Sequence, residues 1–360
     1  MTAIFTGYYG ARNSGDDAFC DVAAWGARTY WSISDALFFA RELPKLKVSG
    51  RCYSPHESYH SFARAGLDIL RSELFASAGG STFHSSLKAS DLRTLAKLKK
   101  KLRAPGKTAA LGISLGPYKN SEAENSTIDY LRTLDYLALR DEKSFEIAQS
   151  YNLDLPVVRA FDLAALMPLI YPTERAAESK SRKIVGISIC DYERFVGGPA
   201  EKEESRMSFF KSCLSLLESA GNFHFRFFVF NGNAELGDIR ATRALISQIP
   251  RVSSSEIIPY LANPGETFRL IGECDFVISV RLHAAIFAAF SGVPMVLLEY
   301  HRKCTDFLND IGQPEALRVG DGDRSVLDTV NSILSSMDLP LLPVKTDDMK
   351  SLALRNFVWS

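Results

Sequence analysis

Short apolar runs alternate with amphipathic stretches along most of the chain. Residues 3–6, 47–53, 74–78, 108–114 and 136–139 have the length and composition of buried strands. Helical spacing of apolar residues fills the intervals at 15–25, 34–43, 58–70, 86–102 and 128–133, and the lysines of 86–102 are expected on a solvated face. Such alternation predicts a parallel sheet with helices on both faces. Between 172 and 183 the pattern lapses into a charged, proline-containing stretch, which reads as a linker. The alternation then restarts, with strands at 184–190, 223–230, 276–280 and 294–298 and helices at 202–219, 241–248, 266–273, 284–290 and 326–336. A last helix is expected at 349–357, after an extended segment at 339–344. The reading is therefore α/β: two Rossmann-like domains at 1–171 and 184–340, with 341–360 crossing back to the first.

Length agrees, since 360 residues exceed the usual size of a single core. Basic and acidic residues balance at 42 each, which argues against a nucleic-acid partner and against a broadly basic membrane-binding surface. Six cysteines without a CxxC pair suit reduced thiols in a cytoplasmic protein better than a disulfide framework. The N-terminus has neither a basic region nor a long apolar run and is not a signal peptide. The most apolar long stretch, 282–298, is broken by His283, Ser291, Gly292 and Pro294, so no transmembrane segment is expected.

Candidate chemistry gathers where strands should end, because open parallel sheets bind ligands beyond their carboxyl edges. Two consecutive strand ends deliver Arg281 and His283, then Arg302 and Lys303, which points to a small-anion site with an imidazole beside it. His301 and Arg302 are weaker candidates, since their side chains should point elsewhere. After the first strand, a loop with three glycines carries Asn13, Asp16 and Asp17 into a helix. These residues can contact sugar hydroxyls or serve as a base, but Asn13 or Asp16 can equally be a simple helix cap. Gly79-Gly80-Ser81 forms a further glycine-rich strand exit, and Arg140 ends another strand, where pairing with a carboxylate is its ordinary fate. His56-Glu57-Ser58-Tyr59-His60 matches the H-E-x-x-H zinc pattern, yet Pro55 places it at a helix start and not inside a rigid helix. It reads as an exposed helix start.

Arg281-Leu282-His283, the alanine-rich helix after it, Gly292-Val293-Pro294 and Tyr300-x-x-Lys303 resemble the C-terminal signature of the polysaccharide pyruvyl transferases. The Asn13-Ser14-Gly15-Asp16 loop, the glycine-rich strand exits and Arg140-Asp-x-x-Ser144 are similar to that family's N-terminal half, although Ala78-Gly79-Gly80-Ser81 has fewer glycines than many relatives. The resemblance implies a GT-B-like fold, with two Rossmann-like domains facing a central cleft. It also implies transfer of pyruvate from phosphoenolpyruvate onto two hydroxyls of a sugar, in a polysaccharide or its precursor, as a cyclic ketal. Arg140, Arg281 and Lys303 would then bind the donor's carboxylate and phosphate, and Asn13, Gly80 and Ser81 would join the substrate contacts. His283, with a pKa near neutrality, would be the general acid, and Asp16 or Asp17 would take a hydroxyl proton. No metal or organic cofactor is implied. The acceptor is a glycan, and a lipid-linked one would bring the protein to the inner face of the cell membrane as a peripheral protein. The alternatives are a GT-B glycosyltransferase using a nucleotide sugar, with Glu299 as its ribose contact, and a non-catalytic glycan- or anion-binding protein.

Overall fold

The computed structural model describes residues 1–88, 90–172, 182–249, 254–320 and 325–359. The first domain contains seven strands: β1 (Thr2–Thr6), β2 (Asp35–Phe39), β3 (Gly50–Tyr53), β4 (Leu74–Ala78), β5 (Lys107–Ile113), β6 (Tyr136–Leu139) and β7 (Val157–Arg159). All pair in parallel, in the order β3-β2-β1-β4-β5-β6-β7. The second contains β8 (Lys183–Ser188), β9 (Phe223–Phe228), β10 (Ser255–Ile258), β11 (Phe276–Ser279), β12 (Met295–Glu299) and β13 (Arg318–Gly320), also parallel, in the order β10-β9-β8-β11-β12-β13. Each order reverses beside its first strand, at β1/β4 and β8/β11, which opens a crevice for ligands at the carboxyl ends.

One expected helix is a strand. Residues 34–43 contain β2, because Ala36-Leu37-Phe38-Phe39 is a continuous apolar run buried in the sheet between β1 and β3. Over so few residues, periodicity cannot separate a buried strand from a helix. The helix expected at 86–102 shrinks to Thr94–Lys101, and its lysines are not all solvated. Lys99 is 2% exposed and donates to the carbonyls of Ile69, Leu70, Ser72 and Pro105, which satisfies a buried ammonium. Of the expected linker, 173–181 lies outside the described residues.

An apolar cluster runs from one domain into the other, through Phe19 and Phe161 on one side and Phe230, Phe268 and Phe287 on the other. Backbone hydrogen bonds tie the same seam: Ser14 donates to Phe230 O at 2.9 Å, and Gly232 donates to Arg12 O at 2.8 Å. Arg159 and Asp310 pair across it at 2.9 Å. The C-terminal helix Thr346–Leu354 leads to a tail on the first domain, where Trp31 Nε1 donates to Phe357 O and the Tyr136 hydroxyl to Arg355 O. None of the six cysteines forms a disulfide. Among the described residues no helix is long and apolar enough to cross a membrane.

Candidate active site at the domain cleft

The loop leaving β1 enters a helix, Ser14–Trp31, whose N-cap is Asn13; the Asn13 side-chain oxygen accepts from Gly15 N at 3.1 Å. Asn13 is therefore spent, at least in part, on capping. Gly15 is required by what faces it, since a Cβ there would lie 2.2 Å from His283 Nδ1. The two aspartates of the first turn diverge. Asp17 accepts from the Tyr260 hydroxyl of the second domain at 2.6 Å and so joins the domains. Asp16 accepts no hydrogen bond among the described residues, and Arg140, Asp162 and Lys303 are its charged neighbours along with Asp17. Burial pushes both carboxyls up to about 7; Asp17 adds to the rise at Asp16, and the Tyr260 hydroxyl restrains it at Asp17.

In the second domain, Arg281 follows β11 and precedes the helix Leu282–Phe290. Its guanidinium grips both carboxylate oxygens of Asp238, which is 1% exposed and also accepts from Phe230 N and Asn231 N. That fork holds the exit of β9 through Nε and Nη2, and Nη1 has no hydrogen-bond partner among the described residues. His283 lies on the first turn of the helix, edge-on to Phe19 with ring centroids 5.1 Å apart. Its Nε2 is buried without a hydrogen-bond partner, 3.9 Å from Asp162 Oδ2. The near-neutral pKa expected from sequence is not found. Burial drives it down to about 4; Asp162 opposes the shift, while Arg140, Lys303 and Arg281 deepen it. The ligand-free imidazole is neutral at pH 7.

Arg140, at the end of β6, pairs with buried Asp162 at 2.8 Å. It also donates to Ser114 Oγ at 2.7 Å and to Ser81 Oγ at 2.9 Å. Ser114 in turn donates to Asp141, the N-cap of the next helix, so the whole strand-exit array is hydrogen-bonded. Lys303, on the helix Arg302–Ile311, forms no ion pair or hydrogen bond through its ammonium among the described residues. Its surface is open to solvent, yet its site in the cleft, together with Arg140 and Arg281, lowers its pKa. His301 caps the same helix by accepting from Lys303 N, and Arg302 pairs with Asp306 at 3.1 Å, so neither competes for the role of Lys303.

Between the domains lies a cavity of about 570 Å³. Ser81, Arg140 and Asp162 face it from the first domain and Lys303 from the second, with Phe161 and Ile286 as apolar wall. Asp16, Arg281 and His283 are not part of its lining. Gly80 precedes the lining residue Ser81 at φ +81°, where an added Cβ would be in van der Waals contact with Asp16 and Thr82. Asp162 was not foreseen; it sits 22 residues from Arg140, and no local pattern links the two. The H-E-x-x-H stretch is no metal site of the helical type. The helix begins at Tyr59, capped by Ser58, so His56 precedes it and shares no helical face with His60.

Two facing Rossmann-like domains with a polar cleft between them define the GT-B fold, and solved structures agree. Over 95% of this chain and 92% of the other, the UDP-GlcNAc 2-epimerase of Methanocaldococcus jannaschii superposes with a TM-score of 0.58 at 10% identity. The UDP-GlcNAc 2-epimerase of Neisseria meningitidis, bound to UDP-GlcNAc, gives 0.58 at 10% identity over 99% and 98%. The α,α-trehalose 6-phosphate synthase of Burkholderia multivorans gives 0.56 at 10% identity over 99% and 95%. Similarity this remote establishes the fold alone. No curated protein is close enough to match. The family model for polysaccharide pyruvyl transferases matches residues 36–302, most of the chain, and the protein belongs to that family.

Proposed function

We propose that this transferase takes pyruvate from phosphoenolpyruvate and closes it as a ketal on two hydroxyls of a glycan. The observation that carries the reading is the meeting of Arg140 and Lys303, one from each domain, on a single cavity, with His283 behind its wall at 3.9 Å from the lining carboxylate of Asp162. Phosphoenolpyruvate brings a carboxylate and a phosphate, and these two cations answer both. Lys303 is the better placed to gain, since it has no competing carboxylate. Arg140 is oriented beforehand by Asp162 and Ser114, so little freedom is lost on binding.

Protonation follows from the same electrostatics. Burial keeps His283 neutral and leaves Asp16 titrating near 7. Entry of a multiply charged anion offsets the cations that hold the imidazole down and raises its pKa, which loads it with a proton. That proton passes to the methylene carbon, converting it to methyl and leaving C2 with oxocarbenium character. The first hydroxyl oxygen bonds to C2 as Asp16 takes its proton. The C2–O bond to phosphate then breaks, the second hydroxyl oxygen bonds to C2, and its proton leaves with phosphate as hydrogen phosphate. Asp16 returns its proton to His283, which balances the cycle. Asp17 supports the geometry through Tyr260, and no cofactor enters. A lipid-linked acceptor would hold the protein at the inner face of the cell membrane without a spanning helix.

The nucleotide-sugar reading loses its ribose contact, because Glu299 is forked by Arg318 at 2.6 and 2.9 Å. The deciding experiment incubates the protein with phosphoenolpyruvate and a panel of acceptor glycosides, against nucleotide sugars with the same panel. Inorganic phosphate released only with phosphoenolpyruvate plus a glycoside supports the proposal; nucleotide released from a nucleotide sugar refutes it.

A further inference from the structure

A second cavity, of about 550 Å³, opens at the carboxyl ends of β1 to β4. It lies across the β1/β4 strand-order reversal, where open sheets seat ligands. It shares no lining residue with the cleft cavity. A single thickness of chain separates the two: Ser81 and His84 face the cleft, whereas Thr82, Ser85 and Ser86 face the second cavity. The partition is braced from below. Arg93 donates to Thr82 O at 3.2 Å, forks Asp91 and lies 4.9 Å over the Phe83 ring.

The second cavity is chemically distinct. Hydroxyls of Thr6, Ser54, Thr82, Ser85 and Ser86 supply donors and acceptors in the arrangement a polyol uses. Arg41 and Lys88 also face it, and neither has a carboxylate partner among the described residues. Asp91, the sole acidic residue of the lining, is already taken by Arg93. The cavity therefore presents surplus positive charge among hydroxyls. At the lip of the partition is Gly80, where an added Cβ would be 3.9 Å from Asp16 Oδ1 and 3.9 Å from Thr82 Cγ2.

We infer that the second cavity binds a sugar unit of the acceptor that carries an oxyanion, a phosphate or a carboxylate, and thereby selects anionic glycans. The inference rests on the reading of the protein as a glycan-modifying transferase. Its test is calorimetric titration of the full chain with glucose 1-phosphate, glucuronate, glucose and inorganic phosphate, repeated on Arg41→Ala, Lys88→Ala and Lys303→Met. At least one anionic sugar should bind more tightly than glucose or phosphate alone. That binding should weaken about tenfold in each of Arg41→Ala and Lys88→Ala and persist in Lys303→Met. Preference for glucuronate identifies a carboxylate acceptor, and preference for glucose 1-phosphate a phosphorylated one. No saturable binding of either anionic sugar, binding indifferent to Arg41→Ala, or binding lost with Lys303→Met each overturns the assignment. Phosphate release from phosphoenolpyruvate is scored separately. Arg41-dependent sugar binding without such release would remove the donor chemistry and leave this site standing, and release without sugar binding would do the reverse.

Discussion

Each domain ends an interior strand in an arginine and gives it a buried aspartate, yet the two pairs do different work. Arg281 and Asp238 form a fork through Nε and Nη2 of the arginine, and the carboxylate also takes two backbone N–H groups, while Nη1 has no partner among the described residues. Arg140 meets Asp162 through one nitrogen and shares the others with two serine hydroxyls on the cavity wall. A hydroxyl yields to an incoming oxyanion at small cost, whereas a buried carboxylate does not. The first pair thus braces the exit of β9, and in the proposed function the second is an anion site with its orienting group attached. Residue type and position at a strand end are the same in both; the partner decides the role.

The comparison breaks most clearly through the chemistry. Replacing His283 with Ala should lower turnover by about 10²–10⁴-fold while the melting temperature stays near wild type, since the Nε2 it removes has no partner to orphan. Next comes the bracing pair. Asp238→Ala leaves Arg281 and two N–H groups uncompensated and should cost about 3–5 kcal/mol in denaturant unfolding. Asp162→Asn should instead act chiefly on kcat/KM for phosphoenolpyruvate, because Arg140 keeps its serines; equal stability losses in both variants would erase the distinction. Lys303→Met should raise the KM for phosphoenolpyruvate about tenfold without loss of stability, as expected of a solvent-exposed ammonium with no partner among the described residues.

A further effect is in the pH profile of unfolding. His283, depressed from 6.5 to about 4, contributes stability that is full above pH 6.5 and lost as pH falls through 4. Asp16, raised from 3.8 to about 7, contributes in the opposite sense: its share is present below pH 3.8 and lost as pH rises through 7. His283→Ala should flatten the acid arm and Asp16→Asn the neutral arm, each by on the order of 1–3 kcal/mol.

The fold was legible in the sequence because a parallel sheet writes itself as short apolar runs between amphipathic ones. It failed at β2, whose Leu37-Phe38-Phe39 is apolar on every face and carries no period. The clustering of Arg140, His283 and Lys303 was legible too, since strand ends converge in this architecture. What each residue is doing was not. Nothing near Arg281 in sequence names Asp238, 43 residues away, and nothing near His283 announces that Gly15 presses on its ring. Burial sets the histidine's pKa, and burial belongs to the packed domains, not to any motif. Lys99 misled for the same reason: a lysine run looks solvated until its neighbours' carbonyls are in place.

The central claim is that Arg140 and Lys303 together bind phosphoenolpyruvate. It is tested most directly by calorimetric titration of phosphoenolpyruvate into the wild type, Arg140→Lys, Lys303→Met and Arg41→Ala. Saturable binding is expected in the wild type, weakened at least tenfold in the first two variants and unmoved in Arg41→Ala. Absence of binding to the wild type, or binding indifferent to Lys303, would contradict it.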